Sequence, residues 1–287
     1  MRSQTPVRRP GQDDLVTAEP RTLDAEPAVR QVAVIRTPIA PMHAEPRVAS
    51  PMVSQQLGGH DVRIVEQEGE WFCVRGADEY DGWIHGGFLL RAPAARATNG
   101  RSRVHMSLGC VVENSLGARR ALPLRARLAP DEMLVWGDAV EEDRRSDRYP
   151  LTPAAVTYSA QEFFGSTSYL WGGVTPWGAD CSGLVQSVFA LHGMQLPRDA
   201  WQQAELGVEA GRDIGELCPA DLLFFSDRDD RRVTHVGIAL GGAKMVHLAL
   251  SRGGYAIEQL GDRRDPVVGM LRNRFLFAKR LLGSPIS

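Results

Sequence analysis

Three residues in this chain can do chemistry together: Cys181, His235 and His247. A thiol attacks carbonyl carbon as its thiolate, and a histidine in reach can take the thiol proton and later return it to a departing amine. Cys181 opens the run Cys181-Ser-Gly-Leu-Val-Gln-Ser-Val-Phe-Ala-Leu191. Leu184, Val185, Val188, Phe189 and Leu191 lie mostly on one face of a helix there, and Gly193 is its stop. The thiol then stands at a helix N-terminus, whose unpaired N–H groups are expected to lower its pKa.

The histidines fall on predicted strands, His235-Val-Gly-Ile-Ala-Leu240 and Lys244-Met-Val-His-Leu248. His235 shares a face with Gly237 and Ala239, small residues expected to leave room for the cysteine helix. A two-residue loop of Gly241 and Gly242 would pair His235 with Leu248 and turn His247 to the opposite face. A three-residue loop, Gly241 to Ala243, pairs His235 with Ala249 and makes His247 a same-face diagonal neighbour. The residues alone permit both.

Other strands are read at Asp221-Leu-Leu-Phe-Phe225 and Phe275-Leu-Phe-Ala278, and a helix around Ala154, Tyr158 and Phe163. Helices first and antiparallel sheet second make an α+β unit over 154–282. Upstream, Gln31-Val-Ala-Val-Ile35, Val62-Arg-Ile-Val65 and Trp71-Phe-Cys-Val74 are short apolar runs between turn residues, a small all-β unit over 30–92. Arg103-Val-His-Met106, Cys110-Val-Val112, Leu122-Pro-Leu124 and Met133-Leu-Val-Trp136 suggest a second over 96–148. Residues 1–29, with Pro6, Pro10, Pro20 and Pro27 among charges, read as a tail.

Composition narrows the function classes. The 33 basic and 35 acidic residues are interleaved and leave a formal charge of −2, which argues against a nucleic-acid partner. No run approaches the ~18 apolar residues of a membrane span, and the N-terminus lacks the apolar core of an export signal, so a cytoplasmic protein without a membrane partner is expected. The four cysteines show no zinc or disulfide spacing, and neither metal nor cofactor is called for. The sequence does not set the oligomeric state.

Six segments occur in an order that resembles the NlpC/P60 family: Tyr169-Leu-Trp-Gly-Gly173, Gly178-Ala-Asp-Cys-Ser-Gly183, Leu196-Pro-Arg-Asp199, Pro219-Ala-Asp-Leu-Leu-Phe-Phe225, His235-Val-Gly-Ile238 and Met245-Val-His247. The resemblance implies a papain-like fold, Cys181 as nucleophile, His235 as base and His247 as the residue orienting that base. Tyr169 is the implied side-chain helper at the oxyanion, beside the backbone N–H groups of the helix.

Tyr80-Asp-Gly-Trp-Ile84 resembles the Gly-Trp strand of bacterial SH3-like barrels. The order of barrels then catalytic unit resembles the γ-D-glutamyl-diamino acid endopeptidases, which cut peptidoglycan peptides. That likeness implies a small peptide partner, L-Ala-γ-D-Glu-diamino acid with a free N-terminal amine. Tyr80 and Glu45 are the candidates for holding its N-terminus, and Asp180 and Ser182 are expected to face substrate. Where such relatives carry Ser after Leu-Pro-Arg-Asp, this chain has Ala200. The competing readings are an inert wall-peptide binder and a hydrolase of a different amide.

Overall fold

A computed structural model describes residues 31–91, 104–262 and 264–283; the expected tail at 1–29 lies outside them. The first sheet is built from β1 (Val32–Ile35), β2 (Ile39–His43), β3 (Met52–Leu57), β4 (Asp61–Glu68), β5 (Trp71–Arg75), β6 (Asp81–His85) and β7 (Leu89–Arg91), in the order β3-β2-β6-β5-β4-β1-β7. Its strands alternate inward and outward, and Ala33, Ile35, Ala40, Met42, Val62, Phe72, Val74 and Ile84 fill one core. A second sheet of β8 (His105–Asn114), β9 (Arg119–Leu122) and β10 (Glu132–Glu141) has the order β10-β8-β9. The apolar runs ending at Met106 and beginning at Cys110, read as two strands, are parts of the single strand β8.

The third unit opens with α1 (Arg145–Arg148) and α2 (Pro153–Phe164). Thr152 caps α2 by accepting from Ala155 N–H, and Pro153 sits in its first turn, where a missing N–H costs nothing. A small hairpin of β11 (Val174–Thr175) and β12 (Gly178–Ala179) leads into α3 (Cys181–Leu191). All eleven residues of α3 are buried, so this helix is the middle of the unit rather than a covering element. Then come α4 (Ala200–Gln203), β13 (Val208–Gly211), β14 (Leu222–Phe225), β15 (His235–Gly241), β16 (Lys244–Ala249), β17 (Gly254–Gln259), α5 (Pro266–Arg274) and β18 (Phe275–Arg280). The strands form an antiparallel sheet in the order β13-β18-β14-β15-β16-β17. Helices and then an antiparallel sheet give the α+β arrangement expected.

One expectation about packing is corrected. Gly237 and Ala239 do not face α3. Val236, Ile238, Val246 and Leu248 share a core with Leu184, Val185 and Val188 of that helix, while Ala239 and Met245 pack with Leu271 of α5 on the other side. Bulky residues win the helix-facing side because the sheet-facing side of α3 presents Leu184, Val185 and Val188, whose grooves branched side chains fill.

The three parts are joined by named contacts. Leu57, Cys110, Val112, Leu122 and Val174 make a cluster that draws from all of them. Val174 N–H donates to Gln55 Oε1 at 3.0 Å, and Gln186 Nε2 of α3 donates to Asp78 Oδ2 at 3.0 Å. No helix among the described residues is long and apolar enough to cross a membrane.

Candidate active site

The nucleophile's position is set by Asp180. It is the N-cap of α3, with extended backbone, and its Oδ1 accepts from Gly183 N–H at 2.8 Å. Its Oδ2 accepts from Gly172 N–H at 2.8 Å, which ties the helix start to the preceding loop. Arg198 completes the arrangement with two bonds to the carboxylate, at 3.0 and 2.5 Å, and a third to Ser182 Oγ at 2.8 Å. Arg198 and Asp180 are both buried, so this ion pair sits in low dielectric.

Two motif glycines have a steric reason. A Cβ on Gly183 would collide with the Gly173 carbonyl oxygen, and one on Gly173 with the Gly178 carbonyl oxygen, so the first turn of α3 lies directly on the loop backbone. Asp180 and Ser182, expected to face substrate, are buried and turned to Arg198.

Cys181 is buried at the head of α3, where the backbone of Val236 and Ser182 favours its thiolate. Val236 is the second residue of β15, whose first side chain is His235. Burial pushes the Cys181 thiol up to about 12, and the Asp180 charge adds to the rise, while the two backbone bonds and Arg198 oppose it. The lowering expected from the helix N-terminus is thus outweighed, because the N-cap is a carboxylate and the site is dry. Burial also pushes His235 down to about 3, helped by the His247 and Arg274 charges. Both directions favour a resting pair of neutral thiol and neutral imidazole.

The hairpin question is answered by a bulge. Gly241 pairs with Lys244 around Gly242 and Ala243, both at positive φ as a two-residue turn of this hand requires. One extra residue then lies between Ala239 and Gly241, so Ala239 pairs with Met245 and Ile238 with Val246. This is the parity of the three-residue-loop reading, and it brings the two imidazoles together: His235 Nε2 is 2.8 Å from His247 Nδ1.

The row continues beyond what the sequence disclosed. His247 pairs with Ala256 of β17, so Glu258 is its same-face diagonal neighbour, and His247 Nε2 lies 3.3 Å from Glu258 Oε1. Glu258 is buried and takes two bonds from Arg252, at 2.7 and 2.8 Å; Arg252 also reaches Asp265, the N-cap of α5, at 2.5 Å. These bonds, the His247 one foremost, hold the Glu258 carboxyl down at about 2.

Tyr169 is half-buried beside the nucleophile; burial first, then the Cys181 and Asp180 charges, hold its hydroxyl protonated far above the ordinary tyrosine range. Tyr80 crosses from the first sheet, its hydroxyl donating to Asp199 Oδ1 at 3.4 Å. Burial raises the Asp199 carboxyl, with Arg198 opposing. Glu45 remains in the exposed loop after β2, paired with Arg47 at 2.6 Å. Arg198, Asp199 and Glu258 are the polar residues that the sequence reading passed over. The first two lie inside a quoted motif, and their signal was a charged pair between apolar segments.

Residues 166–263 match the NlpC/P60 family. A γ-D-glutamyl-L-lysine dipeptidyl-peptidase of Bacillus subtilis is 30% identical over 224 residues, 68% of this chain and 71% of the relative. The Bacillus cereus protein of the same description is 26% identical over 261 residues, 75% and 76% of the two chains. A crystal structure of an NlpC/P60 family protein from Bacillus cereus superposes with a TM-score of 0.70, covering 88% of this chain and all of that one at 18% identity, which speaks for the fold.

Proposed function

The chain belongs to the NlpC/P60 family, and from that premise we propose that it is a cysteine peptidase cutting the γ-D-glutamyl-diamino acid amide bond of peptidoglycan-derived peptides with a free N-terminal L-Ala. The observation that carries this reading is the 2.8 Å contact of His235 Nε2 with His247 Nδ1, in a chain whose Cys181 opens the buried helix α3.

In this reaction His235 takes the Cys181 proton as sulfur attacks the γ-carbonyl carbon of D-Glu. The carbonyl oxygen becomes an oxyanion, received by backbone N–H at the head of α3 and by the Tyr169 hydroxyl. His235 then gives its proton to the departing amine of the diamino acid, leaving a thioester on Cys181. Water, deprotonated by the same imidazole, releases L-Ala-D-Glu and restores the thiol. A buried site suits this sequence, since each charge is created opposite another rather than alone.

Selection for a free N-terminus is assigned to the wall that the first sheet makes against the catalytic unit, which we read as an SH3-like domain. Tyr80 already holds Asp199 there. An incoming ammonium would add a second cation, beside Arg198, to a carboxylate that burial raises. Glu45 serves the same amine only by releasing Arg47. A free L-Ala amine exists only once the stem peptide has left its sugar, so the substrate is a released fragment.

The test is mass spectrometry of products from L-Ala-γ-D-Glu-meso-diaminopimelate and its N-acetylated form, incubated with wild type and Cys181→Ala. L-Ala-D-Glu should appear from the free-amine peptide alone and with wild type alone. Equal cleavage of both peptides would reject the amine requirement, and cleavage of neither would reject the substrate.

A further inference from the structure

His235, His247 and Glu258 stand on three neighbouring strands as one diagonal row, and the last member is a buried carboxylate with two bonds from Arg252. A carboxylate can only accept, so the His247 Nε2 it faces must carry the proton. With both imidazoles neutral, His247 Nδ1 is a lone pair, and the His235 Nε2 at 2.8 Å must donate to it. That leaves His235 Nδ1 without a proton, the state a base needs toward a thiol. With the His247 proton on Nδ1 instead, Glu258 faces an unprotonated Nε2 with no donor between them, His235 Nε2 becomes the acceptor, and the His235 proton moves to Nδ1.

We propose that Glu258 is a positioning residue that fixes both imidazoles in the tautomer that makes His235 a base, with Arg252 and Asp265 setting the charge behind it. The proposal rests on the cysteine-peptidase reading and deepens it. Glu258, Arg252 and Asp265 together carry one net negative charge on the far side of His247. The other charged groups facing the row are Arg274 of α5 toward His235, and Asp180 and Arg198 around Cys181. Glu258→Gln takes the far-side charge to zero, and Arg252→Gln takes it to minus two. A more negative neighbour favours the protonated, inactive row, so the acid limb of activity should move down in pH in Glu258→Gln and up in Arg252→Gln.

The experiment uses the full chain and two readouts from pH 2 to 9. One is kcat and KM on the free-amine peptide. The other is iodoacetamide alkylation of Cys181, followed by peptide mapping, which needs the same proton transfer but no peptide substrate. Glu258→Gln should lower kcat ~10²-fold with KM nearly unchanged, as expected for impaired general-base action. Its acid limb should fall by ~1 pH unit in both readouts while that of Arg252→Gln rises.

Limbs that stay in place, or move the same way in both folded variants, would overturn the proposal. If Glu258→Gln does not fold, Arg252→Gln, altered at a partly exposed side chain, decides alone by the presence or absence of the upward shift. Opposite shifts in alkylation with no cleavage by wild type would keep the relay and reject the substrate.

Discussion

Replacing Arg198 by Met should be among the most damaging single changes to this chain that leaves every candidate catalytic atom in place. Arg198 is 2% exposed and Asp180 8% at the side chain, and three bonds at 3.0, 2.5 and 2.8 Å join Arg198 to Asp180 and Ser182. Removing one partner of such a pair leaves a buried charge without its counter-ion, at a cost of ~3–5 kcal/mol. For a chain of this size ~1 kcal/mol moves Tm by ~2–4 °C, so a fall of ~6–20 °C is expected by calorimetry. Arg198→Lys should fall between, because an ammonium cannot span both carboxylate oxygens.

The cycle with Asp180→Asn separates charge from packing. Asn keeps an acceptor for Gly183 N–H but cannot also accept from Gly172 N–H, so it is costly alone. The double variant should nonetheless lose at least ~2 kcal/mol less than the sum of the singles, because no charge is then stranded. Additive losses, or a loss under ~1 kcal/mol for Arg198→Met, would refute the reasoning and make the pair incidental to the N-cap.

Tyr169→Phe should lower kcat by ~10²–10³ with little change in KM if its hydroxyl receives the oxyanion, and steady-state kinetics on the free-amine peptide will show it. Stability should rise with pH across the acid range. His60 and His235 are both pushed from 6.5 down to about 3 by burial, so each binds a proton in the unfolded chain before it does in the folded one. Their contribution is present above pH 6.5 and is lost as pH falls toward 3, with unfolding taking up about two protons inside that window. His60→Asn, which removes one of them, should flatten the dependence of urea midpoint on pH, and an unchanged slope would count against the burial argument.

What the sequence made legible is what short range and parity control. One-sided apolar spacing from Leu184 to Leu191 placed Cys181 at the head of a helix, and short apolar runs placed both histidines on strands. The choice between same-face and opposite-face imidazoles turned on a single residue at the hairpin, and no local preference distinguishes a bulge after Ala239 from a regular two-residue loop. The thiol's environment was misjudged for a different reason. A helix N-terminus is a local feature, but burial and a carboxylate N-cap are set by the whole unit, and here they raise the thiol rather than lower it. Glu258 was hidden more deeply. It lies in Gly254-Tyr-Ala-Ile-Glu-Gln259, a strand with mixed exposure and no clean alternation, and its meaning depends on register across three strands.

These misses have a common physical root. A dry site disfavours a lone thiolate and a lone imidazolium alike, so activation cannot reside in the cysteine's own surroundings. It must come from a proton acceptor whose tautomer is fixed in advance and from charge held beyond it, where the attacking group is not itself repelled. Asp180 is the counterexample inside the molecule: its carboxylate adjoins the thiol, and Arg198 must neutralise it for the helix start to be both capped and usable. Glu258 is placed two imidazoles away, so its charge favours proton uptake by the histidines without standing against the sulfur. Separating the two carboxylates in this way lets a site that burial renders inert at rest become reactive when a carbonyl arrives to take the sulfur's charge.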